Sequence, residues 1–218
     1  MEKSIENIWK EGFLKSDALL APKINNLYNK KSIHIIDKFK RMFKINLIAI
    51  VAFSFIFLII SYFVGIPWMG IIFFITLNVL VIINKKLLNG LEKIDKGNSS
   101  YQYLKAFNLW INSQVSINKK IATFLYPIIF MAFVIGFWFK DAKGQFLGER
   151  LVNKVINSFP DVYLIYGVPL LAIVIVFIIC TLLALFGGRI YQWDVNIVYG
   201  RIFKKLKELL ADMENLNK

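Results

Sequence analysis

The sequence predicts an all-α membrane protein: four transmembrane helices, with amphipathic cytoplasmic helices at the N- and C-terminal ends. Three observations carry that fold class. Residues 45–84, 121–139 and 162–188 contain no Asp, Glu, Lys, Arg or His. Hydrophobic residues make up 57% of the 218-residue chain and charged residues 19%, with a mean hydropathy of +0.58. A soluble domain is about a quarter charged and under half apolar. Finally, the 27 basic residues fall unevenly around the uncharged stretches.

Residues 1–44 read as cytoplasmic amphipathic helices in two pieces, broken at Ala21-Pro22. Ile5, Ile8, Trp9, Phe13 and Leu14 share one face of the first. Ile24, Leu27 and Tyr28, then Ile35, Ile36, Phe39, Met42 and Phe43, continue a period near 3.6. The run KSIHIIDKFKRMFK sets that stripe beside lysines, as a helix nearing a membrane surface would. Two readings stay open: a juxtamembrane extension of the first span, or a docking surface for a cytoplasmic protein partner. The second rests on Trp9 and Phe13, which have no bilayer to enter, and extends to Ile36, Phe39 and Phe43.

The uncharged residues 45–84 form a transmembrane hairpin, since a helix crosses the hydrocarbon core in ~20 residues. Spans are expected at 46–64 and 67–84, divided at Gly65-Ile66-Pro67, with Trp68 at headgroup level. Residues 47–60 are apolar all round except Ser54, whereas a helix of a soluble domain keeps a polar face. The cytoplasmic loop 85–120 divides at Lys96-Gly97-Asn98-Ser99-Ser100. One arm (Leu87, Leu88, Leu91, Ile94) continues the second span; the other (Tyr103, Leu104, Phe107, Trp110, Ile111) leads into the third. The two arms and the N-terminal helices are expected to pack as a small bundle below the membrane.

The third span covers 121–139. In the outer loop 140–161, Leu151, Val152, Val155, Ile156 and Phe159 face one way over Gly148–Phe159, an interfacial helix ended by Pro160. The last uncharged stretch, 162–188, holds a span at 163–186, with Asp161 as its expected cap. Pro127 and Pro169 are expected to kink spans three and four. The cytoplasmic helix 189–218 carries Val195, Tyr199, Ile202, Leu206, Leu209, Met213 and Leu216 in 4-3 steps. That seam packs on the other cytoplasmic arms or joins two copies in a homo-oligomer.

Orientation follows from the lysines. Segments 1–44, 85–120 and 189–218 hold 23 of the 27 basic residues, against 11 acidic; the outer segments hold four against three. The positive-inside rule places both termini in the cytoplasm, N-in and C-in. The net charge of +13 is thereby explained by topology and anionic headgroups, with no direct nucleic-acid contact needed.

The spans hold no ionisable group, the usual marker of intramembrane chemistry. Asn78 is their one deep amide, read as an interhelical hydrogen bond ahead of a substrate ligand. His34 and Cys180 each stand alone, so no metal or cofactor site and no catalytic residue is expected, and the chain is read as a non-enzyme.

The segments IWKEGFL (8–14), APKINNLYN (21–29), KSIHIIDKFKRMFKIN (31–46), NVLVIINKKLL (78–88), FGGRI (186–190) and LLADMEN (209–215) resemble a family of small four-span inner-membrane proteins of Bacteroidota. The likeness runs along the whole chain, though the strings themselves carry no mechanism. Its implied association is with sigma factors of the extracytoplasmic-function type. The resemblance thus implies an anti-sigma-like regulator whose N-terminal helices hold the sigma factor at the membrane. Unlike better-known anti-sigma proteins, this chain has four spans and no zinc-binding His/Cys set. The alternative expectation is a small oligomeric transporter or channel component, with Thr76, Asn78 and Thr123 along the path.

Overall fold

A computed structural model describes residues 5–94, 100–141 and 144–216, with side chains from Asn29 to Glu214 within them. It is 88% helical. Helix α1 spans Ile5–Val64, α2 Pro67–Glu92, α3 Ser100–Trp138, α4 Leu147–Ser158 and α5 Leu170–Leu216; a two-stranded hairpin (β1, Leu164–Ile165; β2, Val168–Pro169) precedes α5. Among the described residues, parts of α1, α2, α3 and α5 are long and apolar enough to cross a membrane. Helix α2 packs chiefly on α1, and α3 and α5 pack chiefly on each other, with α2 against α3 joining the two pairs.

The α1–α2 turn follows from three residues. Gly65 takes φ +78°, its N–H donates to Tyr62 O at 3.1 Å, and the Ile66 N–H donates to Ser61 O at 2.9 Å. This pair of bonds is a Schellman closure, which needs a residue without Cβ at the left-handed position. Pro67 then opens α2, where its missing N–H leaves nothing unpaired. Tyr62, Phe63 and Trp68 are exposed around this end, as an aromatic belt would be. Gly70 lies directly against Ser61, so that α1 and α2 touch backbone to side chain just past the turn.

Between the apolar helices the sheathing is thin. In the most apolar stretch of each, from 6% (α5) to 17% (α2 and α3) of residues are buried. Phe53, Ile56, Phe124, Phe177 and Leu185 are among the large side chains left facing outward. An apolar surface this broad on a monomer is uncovered only where the surroundings are themselves apolar. The chain thus has the build of a multi-pass membrane protein.

Five expectations are corrected. Helix α1 runs through Ala21-Pro22 without a break; an interior proline removes one hydrogen bond, but here the turns on both sides continue the helix. The last apolar helix starts at Leu170, not at 163, because residues 164–169 form the hairpin. Its turn is Tyr166 (φ 50°) and Gly167 (φ 77°), both left-handed as a two-residue turn of the primed type requires. Pro169 disfavours a helical Val168 and so delays the helix. It therefore precedes α5 and kinks nothing, and Asp161 lies too far upstream to cap it; Pro127, in contrast, sits inside α3. Finally, α5 does not end at Gly187-Gly188 but continues unbroken as the C-terminal helix.

The glycine pair survives within α5 because the backbones meet there. A Cβ at Gly187 would lie 2.7 Å from the Ala122 carbonyl oxygen. Close approach to α3 thus compensates the ~1 kcal/mol by which glycine weakens a helix interior. Helix α4 matches the bounds expected for the amphipathic segment to within a residue, and its Gly148 tucks beneath the Trp138 ring.

Candidate interaction site: the basic helical bundle

Where the four long helices leave their apolar stretches at the lysine-rich end, they converge into a packed core. Helix α1 supplies Ile36 and Phe39; α2 supplies Leu88 and Leu91; α3 supplies Tyr103, Leu104, Phe107 and Ile111. Helix α5 completes it with Val195, Tyr199, Ile202, Leu206, Leu209 and Met213. The expected cytoplasmic arms thus do pack on one another, and the 4-3 seam of α5 is covered within the chain over its described length. The side chain of Leu216, its last member, lies outside the described residues, as does the expected turn at 95–99. A smaller core near the other end joins Ile66, Met69, Phe73 and Ala132.

Phe39 is the hub of the bundle. Its ring centroid lies 5.2 Å from Tyr199, 5.5 Å from Phe107, 5.7 Å from Phe43, 6.0 Å from Trp110 and 6.5 Å from Phe203. Offset and edge-on pairs at these separations are attractive beyond their burial. This cluster ties α1 to α5, which are far apart in sequence. Asn46 reinforces the link, its Nδ2 donating to Tyr199 Oη at 3.3 Å.

At the junction of bundle and apolar helices lies a buried amide layer. Asn84 Nδ2 donates to Asn118 Oδ1 at 3.1 Å, and Asn118 Nδ2 returns the bond to Asn84 Oδ1 at 3.0 Å. Asn118 also donates to Gln114 O at 3.1 Å. This reciprocal pair fixes the register of α2 against α3, because a slip of either helix would orphan two buried amides. Gln114 and Asn118 were missed as inward-facing residues. The signal was there: they continue, at 3–4-residue steps, the face of Tyr103, Leu104, Phe107 and Ile111.

Electrostatically the bundle is basic outside and neutral within. Burial raises the phenol pKa of Tyr103, Tyr191 and Tyr199 above the usual 10, with further upward pushes from Asp37 on Tyr103 and from Asp194 on Tyr191 and Tyr199. The Asn46 hydrogen bond partly offsets the rise at Tyr199. Lys44–Glu92 and Lys204–Glu208, each at 3.9 Å, are exposed pairs of little energetic weight. Tyr101 Oη donates to Glu214 Oε1 at 2.9 Å, latching the start of α3 to the end of α5.

The residues singled out from sequence as partner contacts fall into two groups. Ile36 (0% exposed) and Phe39 (4%) are core residues of the bundle, and Phe43 packs half-buried beside them. Their stripe is covered by the chain's own helices, so these three are corrected from surface anchors to core. Trp9 and Phe13 lie on the N-terminal part of α1, and their side chains fall outside the described residues. Exposed apolar side chains that the sequence reading passed over are Leu109 and Ile197, the latter 84% exposed; Trp193 is exposed as well.

Within the apolar helices, Asn78 Nδ2 donates to Ser54 Oγ at 3.0 Å and to Phe74 O at 2.8 Å. Ser54 Oγ in turn donates to Val51 O at 2.7 Å. Asn78 therefore clamps α2 to α1, the first of the two roles expected for it. Thr123 Oγ1 donates to Lys119 O at 3.3 Å within its own helix. Among the described residues, no three His, Cys, Asp or Glu side chains are grouped as metal ligands would be. His34 is exposed, and Cys180 is half-buried in α5.

Comparison of the chain with protein-family models, with curated proteins and with solved structures gives no match.

Proposed function

We propose that this chain is a multi-pass protein of a bacterial inner membrane, N-in and C-in, that anchors a basic helical bundle on the cytoplasmic side and presents it to a protein partner. One observation carries the reading: the core that draws on all four long helices lies at the lysine-rich end, beyond the apolar stretches. Packing energy is thus concentrated in a platform, while the apolar helices beneath it are sparsely buried and keep their polar groups in bonds to their own backbone or, at Asn78, to the neighbouring helix. Such a division suits a scaffold better than a conduit, and it favours a regulatory role over the transporter alternative.

The surface offered to the partner is the N-terminal stretch of α1 with Trp9 and Phe13, together with the bundle's exterior. The partner class that follows from the Bacteroidota resemblance is a sigma factor, held at the membrane in an anti-sigma-like manner. Self-association, where it occurs, uses a face other than the α5 seam, since that seam is occupied within the chain.

Photo-crosslinking amino acids placed one at a time at Trp9, Phe13 and Ile36 of the full chain, in its native membrane, test this. Adducts from positions 9 and 13 to one soluble protein, with only intrachain products from position 36, are expected. A transcription factor in those adducts, with higher transcription from its promoters once residues 1–28 are deleted, supports the anti-sigma-like form. Adducts solely to lipid from all three positions overturn the partner reading.

A further inference from the structure

We propose that the groove between α3 and α5, at the border between apolar helices and basic bundle, binds the phosphate of an anionic phospholipid. The groove encloses about 410 Å³ and is lined in part by Lys119, Lys120, Arg189, Leu185 and Trp193. It exists because two glycines let the helices meet. Gly187 abuts the Ala122 carbonyl, and a Cβ on Gly188 would lie 3.5 Å from Lys119 O. Side chains of ordinary size there would hold α5 away and fill the floor.

Three cations converge on this floor from two helices. Lys119 and Lys120 immediately precede the uncharged residues 121–139 of α3; Arg189 immediately follows the uncharged residues 162–188 of α5. All three therefore stand at the height where a bilayer bordering those helices places its phosphates. Among the described residues none of the three is in a salt bridge, and no carboxylate lines the groove. Like charges gathered without a counter-ion lower their energy by taking an anion. Arg189 is held in place, its guanidinium 5.4 Å from the Phe186 ring centroid. Its planar fork suits two phosphate oxygens, and the lysines add point charge.

The remaining lining favours a lipid over a free anion. Leu185 and Trp193 are 71% and 70% exposed at the groove's edge, one on the apolar side and one on the basic side. An acyl chain can lie along the first and the glycerol region against the second, whereas inorganic phosphate would use neither. Lys119 and Gln192 also line an adjoining groove of about 600 Å³, where Asn112, Asn196 and Lys204 give a headgroup polar room beyond the phosphate. This site does not depend on the protein partner proposed above.

The test uses the full chain in nanodiscs of mixed phosphatidylglycerol and phosphatidylcholine, with retained lipid counted by native mass spectrometry after ejection. Preferential retention of phosphatidylglycerol is expected. Lys119→Gln/Lys120→Gln/Arg189→Gln should reduce it at least about tenfold, since each basic residue near an anionic surface is worth about fivefold in affinity. Lys38→Gln/Arg201→Gln/Lys205→Gln, which removes the same charge from exposed positions, should leave it unchanged. Gly188→Leu fills the groove without altering charge and should abolish retention too, which decides the matter if the first triple variant fails to fold. Equal loss in both triple variants, equal retention of phosphatidylcholine, or full displacement by inorganic phosphate alone would overturn the proposal.

Discussion

Replacing Phe39 by alanine separates a core role from a partner-binding one. The ring is 4% exposed and touches five other aromatic rings from α1, α3 and α5. Removing a buried phenylalanine costs about 3–5 kcal/mol, and the ring clustering places this site toward the upper half of that range. At 1.4 kcal/mol per decade, the opening equilibrium of the bundle should rise on the order of 10³-fold or somewhat more. Hydrogen exchange measured by mass spectrometry on the full chain reads this directly. Amides of 199–213 in α5 and 103–111 in α3 should exchange faster by that factor, while those of 48–60 keep their protection. Ile197→Ala, at a side chain 84% exposed, should change exchange less than about threefold. Wild-type exchange in Phe39→Ala would refute the placement of Phe39 in the core and return it to the surface.

Three further outcomes follow from other parts of the molecule. In a double-mutant cycle on unfolding in detergent, Asn84→Leu and Asn118→Leu should each cost about 1–3 kcal/mol, and the double variant should cost less than the sum by about 1–2 kcal/mol, because each single change orphans a buried amide; strict additivity would show that the reciprocal pair does not form. Tyr166→Gly, at a fully exposed residue with φ 50°, should leave stability unchanged or raise it by up to about 1 kcal/mol, whereas Gly167→Val at φ 77° should lower it, both read by thermal unfolding. Tyr103, Tyr191 and Tyr199 have folded pKa values raised by burial, so their stabilisation is complete below pH 10 and is lost as pH climbs through the raised values. Bundle protection should accordingly weaken above about pH 10, ahead of any change in the apolar helices, and Tyr199→Phe should make that loss shallower.

The apolar helices were legible because a charge-free stretch of 19 to 40 residues has few other physical explanations, and the arms of the bundle because a 3.6-residue stripe marks a covered face. What escaped depended on contacts distant in sequence. The hairpin at 164–169 has strands of two residues, too short for any periodicity, and only the Gly167-Val168-Pro169 run hinted that the helix would start late. Continuity of α5 through Gly187-Gly188 ran against local propensity, since the reason for those glycines lies on α3 at Ala122. The inward placement of Asn84, Gln114 and Asn118 escaped because amides are usually solvated; Asn84 and Asn118 satisfy each other across α2 and α3, and Gln114 is bonded by Asn118 one turn along its own helix.

Ile36 and Phe39 expose the deeper limit. An amphipathic stripe states that a face will be covered and leaves open whether lipid, another protein or the same chain covers it. The two sides of the α1 sequence answer differently. From position 36 to 43 the cover is α2, α3 and α5, whose ends meet α1 there. From 48 to 60 the outward-facing Ile and Phe side chains are left to the surroundings. One continuous helix thus changes its surroundings along its length, and the cations at the change sit together in pairs, Lys44 of α1 with Lys85 of α2 on one groove and Lys119 of α3 with Arg189 of α5 on another. A bilayer edge there would account for the positions of all four cations together, and the lipid-phosphate site proposed between α3 and α5 requires the same edge.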